Sequence, residues 1–238
     1  IRFKHNNLSE LERLLKKSKQ SNPQKQPLVI TESLFSMEGT TAPIKEISKL
    51  CIKYDSKLLI DEAHALGVMG PEGRGESFGF KEAVSIISGT LGKAFGSGGA
   101  FLATDKITGE NLIQNCGAFR YTTALAPPLC ASALAALNLI ESNPAWGREL
   151  KEKSIAIRDR LSQIGWQRPV GEGPIISLIL GSDELAIDYQ KRLEAQRLLT
   201  VAIRPPTVPE GKSRLRLVIR RNTPIQAFER LITVLKNK

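Results

Sequence analysis

The sequence predicts an α/β protein with a mainly parallel sheet, followed by a smaller α+β region. Short apolar runs alternate with helical stretches through the first half of the chain, and such alternation is typical of βαβ units. Beyond Gly165 a second set of strands and helices follows. We therefore expect a large domain over residues 1–145 and a small C-terminal domain over residues 146–238.

The elements of the large domain follow from periodicity and start signals. An amphipathic helix over residues 8–19 has Ser9 and Glu12 at capping-box spacing, and a proline opens the helix over residues 43–54. Apolar runs predict the strands, and an Ala- and Leu-rich pattern predicts one more helix. These further elements are strands 28–30, 57–61, 83–88 and 99–103 and helix 124–140.

The elements of the small domain are predicted in the same way. A helical stretch over residues 144–164 leads into it. The remaining elements are strands 175–180, 199–203 and 215–219 and helices 183–197 and 224–236.

Composition excludes several classes of protein. No apolar stretch approaches the roughly 20 residues that span a bilayer, and no signal peptide opens the chain, so we expect a cytoplasmic protein. The three cysteines are widely spaced and the chain has two histidines, which argues against a disulfide framework or a metal site. The net charge of +10 is spread thinly without interleaved aromatics, which favours solvated helix faces over a nucleic-acid surface.

Polar residues follow two of the predicted strands. Asp61-Glu-Ala-His64 comes after strand 57–61, and Lys93 lies in the glycine-rich stretch after strand 83–88. In a parallel sheet, the carboxyl ends of the strands border the ligand crevice. A D-E-A-H box is also found in helicase-type NTPases, but that alternative needs a phosphate loop, G-x-x-x-x-G-K-[ST], which this sequence lacks.

A pyridoxal phosphate site is the second interpretation. This cofactor needs a lysine for its aldehyde, a carboxylate for its pyridine nitrogen and donors for its phenolic and phosphate oxygens. Lys93 and Asp61 meet the first two needs, His64 lies one turn beyond Asp61, and Thr90 offers a hydroxyl to the phosphate. Taken singly, such residues are commonly helix caps or solvated side chains, but their positions at successive strand ends favour a site.

Three segments resemble the α-oxoamine synthase family. They begin at Glu32 (Glu-Ser-Leu-Phe-Ser-Met-Glu-Gly), at Asp61 (Asp-Glu-Ala-His-Ala-Leu-Gly-Val-Met-Gly-Pro-Glu-Gly-Arg-Gly) and at Gly89 (Gly-Thr-Leu-Gly-Lys-Ala-Phe-Gly). Members of this family are fold-type-I pyridoxal-phosphate enzymes that condense an amino acid with an acyl thioester. The resemblance therefore implies an aspartate-aminotransferase-like fold and an acyltransferase activity.

The resemblance also implies roles for individual residues. Lys93 would form the Schiff base and remove the α-proton, and Asp61 would hold the pyridine nitrogen protonated. Ser36 and His64 would contact the phenolic oxygen, and Thr90 the phosphate. Thr122 resembles the hydroxyl that such enzymes contribute to the partner subunit's phosphate, which implies a homodimer.

The C-terminal part resembles one branch of the family. The stretch from Ala202, Ala-Ile-Arg-Pro-Pro-Thr-Val-Pro-Glu-Gly-Lys-Ser-Arg-Leu-Arg-Leu, is similar to the members that condense L-alanine with a pimeloyl thioester in biotin synthesis. The thioester carrier, coenzyme A or a carrier protein, stays open. Arg216 would bind the amino-acid carboxylate, Thr207 would contact substrate, and Arg204 would bind an acyl chain or a substrate anion.

The sequence departs from the family pattern in its upstream part, and also near its C-terminus, where Arg220-Arg-Asn-Thr replaces a histidine-containing segment. The family carries an upstream histidine that stacks on the pyridine ring, in a stretch without a counterpart here, so we expect the N-terminal portion of the large domain to lie outside this sequence. Three alternatives stay open: a glycine C-acetyltransferase or 5-aminolevulinate synthase type of enzyme, an inactive fragment that only binds a partner, and a fragment of a DEAH-type NTPase.

Overall fold

The chain forms two compact units. A computed structural model describes residues 1–236. The N-terminal unit comprises Ile1–Leu34 and Ala42–Pro144, and the C-terminal unit comprises Phe35–Thr41 and the described residues from Ala145 onward. The sequence did not predict that the short segment Phe35–Thr41 belongs with the second half of the chain.

The N-terminal unit is built on a four-stranded sheet in the order β1-β2-β3-β4. The first three strands are parallel, and β4 runs antiparallel to β3. Residues 91–99, which join β3 to β4, are too few for the crossover of about a dozen residues that a parallel connection requires. The strands are β1 Leu28–Glu32, β2 Lys57–Asp61, β3 Val84–Thr90 and β4 Ala100–Thr104.

Five helices accompany this sheet in the N-terminal unit. They are α1 Leu8–Ser21, α2 Ile44–Lys53, α3 Lys106–Asn115, α4 Gly117–Arg120 and α5 Pro127–Glu141, and a 3-10 turn spans Pro71–Gly73.

The predicted capping pair of α1 is wrong. The side chain of Asn7 caps the helix by accepting from Glu10 N at 2.9 Å, and the Glu10 carboxylate accepts from Lys4 N at 2.8 Å. Asn7 and Glu10, rather than Ser9 and Glu12, therefore accept the backbone hydrogen bonds at the start of α1.

The C-terminal unit is an α+β structure with an antiparallel sheet in the order β5-β7-β6. Its elements are α6 Trp146–Gln163, β5 Ile175–Gly181, α7 Asp183–Ala195, β6 Val201–Ile203, β7 Ser213–Val218 and α8 Ile225–Lys236. Because β7 is the central strand, its side chains have neighbours on both sides. The predicted small α+β fold has this arrangement.

A buried arginine binds the segment that leads into β5. Arg158 on α6 has no exposed surface, and its guanidinium donates to the carbonyl oxygens of Ser154, Val170, Gly173 and Ile175. Burial lowers the pKa of Arg158 to about 10. The four carbonyl partners offset much of the cost of burying this charge and hold residues 170–175 against α6.

Large apolar side chains of the N-terminal unit lie exposed on α3, α5 and the segment before α5. The most exposed of them include Ile107, Ile113, Tyr121, Leu134 and Leu139. An exposed apolar area of this kind is typical of a surface that binds another protein, a membrane or a ligand. Within residues 1–236, none of the helices combines the length and the apolar character needed to cross a membrane.

Candidate functional site

Asp61 ends β2, next to the equivalent ends of β1 and β3. The strand register aligns it with Glu32 on one side and Ser88 on the other. Ser88 Oγ donates to Asp61 Oδ2 at 3.2 Å, and Ala63 N donates to Oδ1 at 2.8 Å. A carboxylate accepts about four hydrogen bonds, so Asp61 is held in place with capacity for a further donor.

Glu62, the next residue, is fully buried and ties three segments together. Its carboxylate accepts from Ser33 Oγ at 2.6 Å, from Ser77 N at 2.6 Å and from Glu76 N at 3.2 Å. A Cβ added to Gly75 would lie 2.7 Å from the carboxyl carbon of Glu62, so only glycine fits there. Glu62 therefore fixes the loop that follows Asp61.

The hydrogen bonds of Glu62 argue against the NTPase alternative. Its carboxylate already accepts three hydrogen bonds from protein donors, which leaves little capacity for a magnesium ion. Within residues 1–236, no group of three His, Cys, Asp or Glu side chains is placed to hold a metal ion. Sequence reasoning missed Glu62; the available signal was that it follows β2 directly, as Ser33 follows β1.

Lys93 lies on a closed loop between β3 and β4. Leu91 N donates to Gly99 O at 2.9 Å, and Ser97 N donates to Leu91 O at 2.9 Å. Phe95 is buried and anchors the loop, whereas Lys93 is exposed. The loop therefore presents the lysine at the end of β3.

The structure brings the Lys93 loop and the loop after Asp61 into contact. Gly67 has a φ of +85°, and a Cβ added there would lie 2.8 Å from the Cβ of Ala94. This close approach is possible because Gly67 has no side chain. The segments that carry Asp61, His64 and Lys93 thus meet at one end of the sheet, as the sequence predicts.

The two threonines predicted to bind phosphate lie in different settings. Thr90 Oγ1 donates to Gly99 O at 3.1 Å and accepts from Gly92 N at 3.2 Å. To donate to a phosphate, the Thr90 hydroxyl must rotate away from Gly99 O. Thr122 lies in the exposed, irregular segment between α4 and α5.

In the C-terminal unit, Arg216 and Ser36 are in direct contact. Arg216 Nε donates to Ser36 O at 2.6 Å. Burial lowers the pKa of the Arg216 guanidinium. Within residues 1–236, no carboxylate forms an ion pair with Arg216, so its charge is available to an anion.

The other two predicted substrate residues share one turn of the C-terminal unit. Thr207 N donates to Arg204 O at 3.0 Å, and both residues are exposed. Their proximity follows from the turn after β6.

Comparison with protein families gives one match across the chain. The model of the family described as "Aminotransferase class I and II" matches residues 1–235.

Two similar curated relatives share a name. A putative 8-amino-7-oxononanoate synthase from Acetivibrio thermocellus is 42% identical over 88% of this chain and 54% of its own length. An 8-amino-7-oxononanoate synthase from Methylobacillus flagellatus is 39% identical over 98% of this chain and 59% of its own length. The chain thus spans little more than half the length of these relatives.

Solved structures share the fold. A serine palmitoyltransferase from Sphingomonas wittichii superimposes with a TM-score of 0.90 at 26% identity, over 99% of this chain and 59% of that one. An 8-amino-7-oxononanoate synthase from Francisella tularensis superimposes with a TM-score of 0.82 at 26% identity, over 99% of this chain and 67% of that one. Another serine palmitoyltransferase, from S. paucimobilis, was solved with pyridoxal phosphate joined to myriocin. It superimposes with a TM-score of 0.90 at 25% identity, over 99% of this chain and 60% of that one. These likenesses confirm the predicted fold-type-I architecture.

Proposed function

The chain belongs to the class I and II aminotransferase family, and we propose that it carries the pyridoxal-phosphate site of an α-oxoamine synthase. The proposed reaction is the decarboxylative condensation of L-alanine with a pimeloyl thioester, giving 8-amino-7-oxononanoate. The names of the curated relatives and the resemblance of residues 202–217 to the alanine-using branch support this choice of substrates.

One observation carries the proposal: the Asp61 carboxylate is fixed at the end of β2, in a segment that touches the Lys93 loop. An oriented carboxylate with spare lone pairs, a lysine and hydroxyl donors form the set that pyridoxal phosphate requires. When bound, the cofactor supplies a ring that accepts the electrons left behind at the substrate Cα. The residues present fit that group.

Each residue at the end of the N-terminal sheet has a proposed task. Lys93 Nζ would hold the cofactor through its aldehyde and, once the substrate amine has displaced it, would take the proton from the amino-acid Cα. Asp61 Oδ2 or Oδ1 keeps a proton on the pyridine nitrogen, because an ion pair raises the pKa of the cationic partner. His64 lies in the same segment as Asp61 and contacts the phenolic oxygen, and Thr90 donates to the phosphate.

The family resemblance also proposes tasks for individual residues of the C-terminal unit. Ser36 donates to the phenolic oxygen. Arg216 binds the amino-acid carboxylate, since its half-buried charge has no carboxylate partner among the described residues and a guanidinium matches a carboxylate bidentately. Thr207 contacts substrate, and Arg204 binds an acyl chain or a substrate anion.

The overall reaction balances when one proton is taken up. The Cα proton leaves, a carbon–carbon bond forms between the amino-acid Cα and the thioester carbonyl carbon, and the thiolate departs and is protonated. The amino-acid carboxylate departs as carbon dioxide, and a proton replaces it on Cα. The net charge of +10 favours encounter with an anionic coenzyme A or carrier-protein thioester.

We also propose a homodimer in which Thr122 serves the partner subunit's phosphate. The exposed apolar side chains on α3 and α5 support an interface on this unit, because such a surface is costly in water. Thr122 lies in the exposed segment between α4 and α5, next to that surface in the chain.

A panel of substrates tests the reaction. The full-length protein, loaded with pyridoxal phosphate, is given L-alanine, glycine or L-serine together with pimeloyl, acetyl, succinyl or palmitoyl thioester, and thiol release and carbon dioxide are measured. Turnover confined to L-alanine with pimeloyl thioester supports the proposal. Turnover of glycine or serine with another thioester, without turnover of that pair, would reassign the enzyme within the family. A protein that binds the cofactor but turns over no pair would be a non-catalytic homologue.

A further inference from the structure

The segment that carries Ser36 forms a closed loop, which we call the strap (Phe35–Thr41). Phe35 N donates to Thr40 O at 2.9 Å, and Gly39 N donates to Phe35 O at 2.9 Å. These two hydrogen bonds close the strap on itself. Ser36, Met37 and Glu38 therefore project from a compact turn, and whatever holds that turn also sets the orientation of Ser36.

One side of the strap packs backbone to backbone on other parts of the C-terminal unit. Gly39 has a φ of +71°, and a Cβ there would lie 2.1 Å from Ile175 O. A Cβ on Gly171 would lie 2.0 Å from Gly39 O. Neither position has room for a side chain, so β5 and the loop before it set where this side of the strap lies.

The other side of the strap is held by two arginines of β7. Arg214 and Arg216 are two residues apart on the central strand and therefore point to the same face. Arg216 Nε donates to Ser36 O at 2.6 Å. Arg214 Nη1 lies 3.4 Å from Met37 O and 3.5 Å from Glu38 Oε1. Arg216 therefore holds Ser36, and Arg214 holds the next two residues of the strap.

The two arginines differ in how their charge is matched. The side chain of Arg214 is 7% exposed and forms an ion pair with Glu38. It also donates from Nε to Lys212 O at 3.1 Å and from Nη1 to Ser177 Oγ at 3.4 Å. Arg216 has no ion pair with a described carboxylate. The charge of Arg214 is therefore used within the protein, whereas that of Arg216 is available to a ligand.

We propose that Arg214 is a positioning residue, which holds the strap through Met37 and Glu38 and thereby sets the orientation of Ser36. This inference rests on the proposed function, because it takes Ser36 as the donor to the phenolic oxygen of the cofactor. Sequence reasoning missed Arg214, although the alternation Arg-Leu-Arg-Leu in β7 already places both arginines on one face.

A double-mutant cycle tests the proposal in the full-length holoenzyme. The variants are Ser36→Ala, Arg214→Gln, their combination and Arg214→Lys. The control is Arg221→Gln, which removes another Arg–Glu ion pair of the same unit, with Glu149 at 3.5 Å. The readouts are the pH midpoint of the visible absorbance of the bound cofactor, and kcat and KM for the amino acid. The melting temperature is recorded for each variant.

We expect Arg214→Gln to shift the pH midpoint in the same direction as Ser36→Ala and to raise KM about tenfold with a smaller change in kcat. The combined variant shifts the midpoint no further than Ser36→Ala alone, because the two residues act as one unit. Arg214→Lys, which keeps a charge opposite Glu38, recovers part of the shift. Arg221→Gln leaves midpoint and KM unchanged.

Two results would overturn the proposal. In the first, Ser36→Ala shifts the midpoint and Arg214→Gln does not, so Arg214 has a structural role only. In the second, Ser36→Ala itself leaves the midpoint unchanged, so that Arg214 has nothing to position. Cofactor attachment to Lys93 is measured separately by borohydride reduction, so failure of the proposed function is distinguishable from both. If Arg214→Gln does not fold, Glu38→Gln removes the same ion pair at a side chain that is 39% exposed, and the same criteria apply.

Discussion

Ser88 donates from its hydroxyl to Oδ2 of Asp61 at 3.2 Å, from one parallel strand to the next. Together with the bond from Ala63 N to Oδ1, this contact fixes both oxygens of the carboxylate. An acid that only capped the following turn would need the second contact alone. In the proposed site, the first contact would orient the Asp61 carboxylate toward the pyridine nitrogen of the cofactor.

Asp61→Asn should lower kcat by at least about 100-fold, because an amide has no charge to keep the ring nitrogen protonated. The melting temperature should stay close to that of the parent, since Asn can still accept from Ala63 N. Ser88→Ala serves as the matched variant, and we expect a loss of only about two- to tenfold because it removes orientation but no charge. Steady-state kinetics check both, and an Asp61→Asn enzyme within threefold of the parent would contradict the role of Asp61.

Glu62→Gln should lower the free energy of unfolding by about 1–3 kcal/mol, because the amide nitrogen would face one of the two backbone N–H groups that now donate to the carboxylate. Urea denaturation measures the change. Glu46→Gln, on the exposed side of α2, is the control and should alter stability by less than about 0.5 kcal/mol. Equal effects of the two substitutions would show that the contacts of Glu62 do not hold the loop.

Arg216→Lys should raise KM for the amino acid about 10- to 100-fold with a smaller change in kcat, because an ammonium cannot form the bidentate pair with a carboxylate. Arg221→Lys is the matched control, as this arginine pairs with Glu149 on α6. A loss of kcat without any rise in KM would contradict carboxylate binding by Arg216.

Cys51 should make stability depend on alkaline pH. Burial raises the pKa of its thiol to about 11, from an ordinary value of about 9. In the unfolded chain the thiol ionises first, so its contribution is complete below about pH 9 and is lost as the pH rises toward 11. The loss amounts to about 2–3 kcal/mol at the upper end.

Comparison of parent and Cys51→Ala isolates this contribution from other groups that titrate in the same range. Denaturation at pH 8, 9, 10 and 11 should show the parent losing stability more steeply than the variant. Cys130→Ala, at an exposed cysteine on α5, should follow the parent. Parallel pH curves for parent and Cys51→Ala would contradict the assignment.

The sheet elements and the residues at their ends were predictable because they depend on local patterns. Asp61 follows an apolar run directly and Lys93 lies in the loop after the next one, and a parallel sheet gathers such positions. α3 and α4 were not predicted, since residues 106–120 contain Thr, Gly and Asn and show little periodicity. The direction of β4 depends on the length of the loop after Thr90.

Other features depend on contacts between distant parts of the chain, which a single sequence does not display. Ser36 lies 180 residues before Arg216, and Arg214 meets Glu38 across 176 residues. Glu62 looks like any acid after a strand until Ser33, Glu76 and Ser77 surround it. The contacts of the strap with β7 therefore could not be predicted from the sequence.

The proposed cofactor attachment at Lys93 is tested most directly by borohydride reduction. The full-length protein is incubated with pyridoxal 5′-phosphate, reduced, digested and analysed by mass spectrometry, with Lys93→Ala as the comparison. We expect a reduced cofactor on the peptide that contains Lys93, and none on any peptide of Lys93→Ala. Equal labelling of the two proteins, or a label on another lysine in the parent, would show that Lys93 is not the attachment site.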